Sequence, residues 1–151
     1  PDIMSVELED KEWPLSGSPD YCNTYPAWKY IDQYAGFELE PELTAGRKYF
    51  FCRFLDNSDH YSFGQYFEKE GRYAVKIHHV KTLVGAKFRI SSGKSRNDVN
   101  FSGVENTLSE TEFEMDFEKG MNIIKIQPLD IKKNSSGYFI IDRIEFQLTS
   151  D

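Results

Sequence analysis

Apolar residues recur along most of this chain with a two-residue period, and that period limits the fold more than any other feature. Phe113, Met115 and Phe117 alternate with Glu112, Glu114, Asp116 and Glu118, a spacing that puts one set on one face only if the segment is extended. Lys119-Gly120 then supplies a turn, and Asn122 to Ile126 reads as a second strand. Lys132 to Gly137 is a polar turn, and Tyr138 to Leu148 is a closing strand. Upstream, Met4, Val6 and Leu8 mark a first strand, and Phe37 and Leu39 another short one. Tyr49 to Phe54 is apolar at both parities, which predicts a central strand covered on both faces. Ser62 to Phe67, Arg72 to Val80 and Ala86 to Ile90 add three more strands, while Ser91 to Asn100 reads as a polar loop. No segment sustains a helical period. About eight short strands with turns between them predict an all-β fold, a β-sandwich jelly roll of two antiparallel sheets.

At 151 residues the chain suits one domain, large enough to bury a core without disulfide staples. A net charge of −7 argues against nucleic acid as the main partner, because phosphate binding needs a basic surface. No apolar run reaches the length of a membrane helix, so membrane insertion is not expected. Cys22 and Cys52 allow one disulfide without demanding it. Cys52 shares the parity of Phe50 and Phe54, and a buried free thiol is the simpler expectation. The chain opens on Pro1-Asp2 without a methionine, which suggests a piece excised from a longer protein, so the missing signal peptide says nothing about secretion.

No phosphate loop, dinucleotide glycine fingerprint or His/Cys metal spacing is present. His78 and His79 are neighbours on a strand and point to opposite faces, one to the surface and one into the packing. Alternating carboxylates, as at Glu38/Glu40 and Glu112/Glu114, are the usual solvated side of a strand. Two features stand apart. Asp142 shares the parity of Ile140, Ile144, Phe146 and Leu148, and a carboxylate on an apolar face must be paired, hydrogen-bonded or metal-bound. Glu7 and Glu9 are two apart on the first strand. If the first and last strands are neighbours, Glu7, Glu9 and Asp142 can form an oxygen cage for calcium; the alternative is a solvated Glu pair and an Asp satisfied by backbone donors. The second feature is the stretch from Asp10 to Tyr34, read as an irregular loop because Pro14, Gly17, Pro19 and Pro26 interrupt it. It holds Trp13, Trp28 and four tyrosines. Trp28 and Tyr30, two apart, can form one aromatic platform with Asp32 on the same side. Asn134, in the Lys132-to-Gly137 turn, can add a donor if the two loops meet.

Val6-Glu-Leu-Glu9, Phe67-Glu-Lys-Glu-Gly-Arg-Tyr-Ala-Val-Lys-Ile77, Phe117-Glu-Lys-Gly-Met-Asn-Ile-Ile-Lys-Ile126 and Gly137-Tyr-Phe-Ile-Ile-Asp-Arg-Ile144 come in an order that resembles carbohydrate-binding modules of families 6 and 35, with the galactose-binding-like jelly roll. That resemblance implies a structural calcium on Glu7, Glu9 and Asp142. It also implies a non-catalytic module that binds a glycan or polysaccharide, is carried by the catalytic domain of a glycan-degrading enzyme, and works outside the cell, on its surface or in the periplasm. Sugar binding there uses aromatic faces on pyranose C–H groups and polar groups on the hydroxyls. The chain departs from the pattern in two places: Ile140-Ile141 replaces the Asn before the aspartate, and Val104 to Glu110 lacks an aromatic. Those departures favour a second expectation, an accessory sandwich that packs on a catalytic domain and binds no sugar. A small stand-alone enzyme is a remote third.

Overall fold

A computed structural model describes residues 2–11, 15–26, 48–104 and 107–150. The strands are β1 (Ile3–Val6), β2 (Tyr21–Pro26), β3 (Lys48–Phe54), β4 (Tyr61–Phe67), β5 (Gly71–Lys81), β6 (Lys87–Ser92), β7 (Ser95–Asn100), β8 (Thr107–Phe117), β9 (Gly120–Pro128) and β10 (Gly137–Ser150). Between β1 and β2 lies one 3-10 turn, Leu8–Asp10. The two antiparallel sheets are a six-stranded one, ordered β2-β3-β10-β5-β8 with β1 also on β10, and a four-stranded one, ordered β4-β9-β6-β7. Inward residues of both meet in one core, where Phe139 packs its ring against Phe50, Phe54, Tyr61, Phe88 and Phe101. This is the expected all-β jelly-roll sandwich.

Two strands, β7 and β2, escape the alternation rule, and both stand at sheet edges. β7 exposes Arg96, Asp98 and Asn100 and buries Val99 alone among its residues. It is an edge strand, and edges are commonly blunted with polar and charged side chains. Its partner is β6, in a hairpin pairing Ser92 with Ser95. β2 is the edge strand at the far side of the other sheet, and Pro26, its last residue, is tolerated there because a proline lacks an N–H for the ladder. The expected short strand at Phe37 and Leu39 lies outside the described residues. β3 is buried on both faces as its composition demands: Phe50, Cys52 and Phe54 enter the main core, and Tyr49 and Phe51 enter a second cluster with Val80, Tyr138 and Ile140.

Cys22 and Cys52 are not free thiols. They face each other across the β2–β3 ladder and are joined as a disulfide. Pairing in space, invisible to parity, decides this.

Candidate functional site

Strand β10 changes partner along one edge. It pairs with β3 through Gly137–Ile141 and with β1 from Ile144 to Gln147. Asp142 and Arg143 sit at that handover, and on the other edge the register against β5 slips between Ile141 and Arg143. A bulge of this kind puts an extra residue in one strand and flips the alternation beyond it. Ile141 and Ile144 therefore both face the main core, while Ile140 packs in the second cluster on the opposite face. The expected single parity from Ile140 to Leu148 thus breaks at Asp142. The aspartate is the bulged residue and not a member of an apolar row. Its carboxylate accepts a hydrogen bond from Arg143 Nη1 at 2.6 Å.

Asp142 and Arg143 line a cleft of about 360 Å³ with Tyr49, His78, Leu108 and Glu110. His78 stands between two carboxylates here, bonded through Nε2 to Glu145 and 3.3 Å through Nδ1 from Glu110. The hydrogen bond from His78 holds the Glu145 carboxyl below its ordinary range, against the opposing effect of burial. His79 points the other way, as strand geometry requires. It is 1% exposed, its ring lies 4.6 Å from Phe101, and Nε2 meets Thr111 Oγ1 at 2.9 Å. Burial, and then the nearby Lys81 and His78, push the His79 imidazole down to about 4. In this cleft Asp142 is engaged by Arg143, and Glu110 and Glu145 by His78.

The metal set fares differently from its sequence reading. The chain leaves the β1 ladder after Val6, and Glu9 falls in the 3-10 turn, so Glu7 and Glu9 do not project from one strand face. All three expected ligands carry hard oxygens suited to calcium. Among the described residues, however, no group of three or more His, Cys, Asp or Glu side chains is placed to hold a metal ion. Val6 does pair with Ile144, two residues from Asp142, so the segments bearing the three carboxylates meet at the β10 handover.

Of the expected sugar-binding residues, Trp28, Tyr30 and Asp32 lie outside the described residues. Asn134 is exposed in the turn before β10, with a left-handed φ of 60°. The chain leaves β2 at Pro26, opposite Lys48, near the Ile141 end of the β3–β10 ladder, whereas the Asn134 turn precedes its Gly137 end. The four steps between those ends span about 13 Å of strand. Leu55, the residue after the Phe54 that pairs with Gly137 at the Asn134 end, is exposed and aliphatic.

The exposed aromatic ring among the described residues stands elsewhere. Tyr66, 52% exposed, lies on the outer face of the four-stranded sheet. It pairs across the ladder with Met121, and next to them Gly64 pairs with Ile123. Sequence reasoning missed this patch although a signal was present. Ile123 and Ile124 are adjacent in a strand, so one of them had to face away from the core.

No protein-family model matches the chain, and no curated protein matches it. Solved structures do. The native family 35 carbohydrate-binding module from Clostridium thermocellum superposes with a TM-score of 0.57 at 15% identity, covering 99% of this chain and 100% of that one. The C-terminal CBM6 of LamC, a marine laminarinase from Zobellia galactanivorans, gives a TM-score of 0.61 at 12% identity, with 97% and 99% covered. The fold is that of carbohydrate-binding modules of the family 6 and 35 type. A CBM36 module described in complex with calcium and xylotriose gives a TM-score of 0.51 at 19% identity, with 95% and 99% covered. Against longer enzyme chains the match is partial: this chain spans 13–30% of the length of four of them.

Proposed function

We propose that this domain is a non-catalytic glycan-binding module, attached to a glycan-degrading catalytic domain and working outside the cell, on its surface or in the periplasm. The observation that carries this reading is the correspondence, end to end, with solved carbohydrate-binding modules that are themselves single domains of this size. Trp28 and Tyr30 supply a stacking platform in this reading, and Asp32 and Asn134 the hydroxyl contacts. A structural calcium on Glu7, Glu9 and Asp142 belongs to this reading; their segments meet at the β10 handover, and the three carboxylates would have to converge from where they now stand. A glycan array followed by affinity electrophoresis with the isolated domain tests the function. A few stacking and hydrogen-bond contacts, offset by ordering costs, lead to an expected dissociation constant of about 10 µM to 1 mM. Trp28→Ala should lose most of that binding with little change in Tm. Absence of binding to every neutral and acidic polysaccharide tried would overturn the reading in favour of an accessory sandwich.

A further inference from the structure

The outer face of the four-stranded sheet is divided into two ends. At one end Leu15, Tyr66, Met121 and Ile123 are 52%, 52%, 67% and 57% exposed. Single exposed apolar residues are ordinary, but a contiguous group marks a contact surface. Gly64 keeps this end flat: a Cβ there would lie 3.0 Å from Met121 Sδ, so the methionine fills the space a side chain would take. Two residues along β9 from Ile123, about 7 Å of strand, the polar end begins. Lys125 pairs with Ser62 on one side and Ser91 on the other, and Ser91 pairs with Arg96, making one cross-strand row. Beyond it Lys87 and Arg89 share the same outward parity on β6.

The charge on this face runs against the charge of the chain. Overall there are 25 acidic and 18 basic residues. The outward positions of these four strands carry Lys87, Arg89, Arg96 and Lys125 against one carboxylate, Asp98. Asp98 is engaged by Arg89 at 2.9 Å. Among the described residues the other three cations have no carboxylate partner. A hollow beside the apolar end, lined in part by Met121 and Ile123, holds Glu70, Asp116 and Glu118 together with Arg72 and Lys94, and Arg72 pairs with Asp116. Charge in that hollow is mixed, whereas Lys125 and Arg96 stand in one row without carboxylates, so an anionic group is drawn to that row.

We propose that this face binds an acidic polysaccharide, its pyranose C–H surface lying on Tyr66 and Ile123 and its carboxylates on Lys125 and Arg96. The site rests on the glycan-binding reading above and adds a place and a ligand class to it. A neutral glycan would use the ring and leave the cations idle, and a purely ionic partner would leave the apolar end exposed. A polymer with both an apolar sugar face and regularly spaced carboxylates matches both ends at once.

The test uses the isolated domain with polygalacturonate, with the same polymer after its carboxyls are reduced to alcohols, and with poly-glutamate. Affinity electrophoresis and calorimetry are expected to show preference for polygalacturonate over both controls. Raising salt from about 50 to 300 mM should weaken that binding, because the cations are exposed. Lys125→Ser with Arg96→Ser should weaken it about five- to tenfold, as two exposed charge contacts allow. Tyr66→Ala should weaken it too, and unlike the charge changes should do so at high salt. Equal binding of poly-glutamate would overturn the sugar part of the site, and equal binding of the reduced polymer would overturn the charge part. If the Lys125/Arg96 and Tyr66 variants keep full binding while Trp28→Ala loses it, this face is refuted and glycan binding stands. If no polysaccharide binds, both fall.

Discussion

His79 makes the domain acid-sensitive in a window that can be calculated. The imidazole is buried with Nδ1 unpartnered and titrates at about 4 in the folded chain, against an ordinary value of 6.5. The folded state thus refuses a proton that the unfolded state accepts. Stability from this group is complete above about pH 6.5 and is lost as pH falls toward about 4. The fall from 6.5 to about 4 corresponds to about 3 kcal/mol in all, of which about 2 kcal/mol is gone by pH 5. That is a large fraction of the 5–15 kcal/mol typical of a domain. Glu145 acts in the same direction but lower: its depressed carboxyl loses its contribution as pH falls below its ordinary 4.5. His79→Gln separates the two, since an amide can still bond Thr111 and cannot titrate. Urea unfolding followed by circular dichroism at pH 7, 6, 5 and 4.5 should show the variant less stable at neutral pH. The gap should then close by about 2 kcal/mol at pH 5. Parallel curves for the two proteins would refute the reasoning.

The Cys22–Cys52 disulfide spans 30 residues in sequence, so its removal in a Cys22→Ser/Cys52→Ala double variant should cost about 3–4 kcal/mol in urea unfolding under oxidising conditions; an unchanged midpoint would contradict the pairing. Phe139→Ala removes a fully buried ring from the centre of the core and should cost about 3–5 kcal/mol by thermal melting. If Glu7, Glu9 and Asp142 hold calcium, a chelator should lower Tm, and Asp142→Ala should remove the response. Identical melting curves with saturating calcium and with chelator would exclude the site.

Local periodicity by itself determined the architecture here. Strands with one buried face, such as β5, β8 and β9, announce themselves because side chains alternate across a sheet whatever the neighbours are. β3, apolar at both parities, was legible as a doubly covered strand for the same reason. The edge strands β2 and β7 were not: an edge answers to solvent and to aggregation control, and in these two, unlike the edge strands β4 and β8, that leaves little apolar alternation to read. Asp142 marks the limit most clearly. Its parity in the sequence pointed into an apolar row, yet a one-residue bulge, set by the exchange of β3 for β1 along the β10 edge, turned it out of that row beside Arg143. The Cys22–Cys52 bond and the cation row on the outer sheet face were decided in the same way. Each joins residues brought together by ladder pairing between segments far apart in sequence, and pairing partners are a property of the folded sheet, not of any one strand.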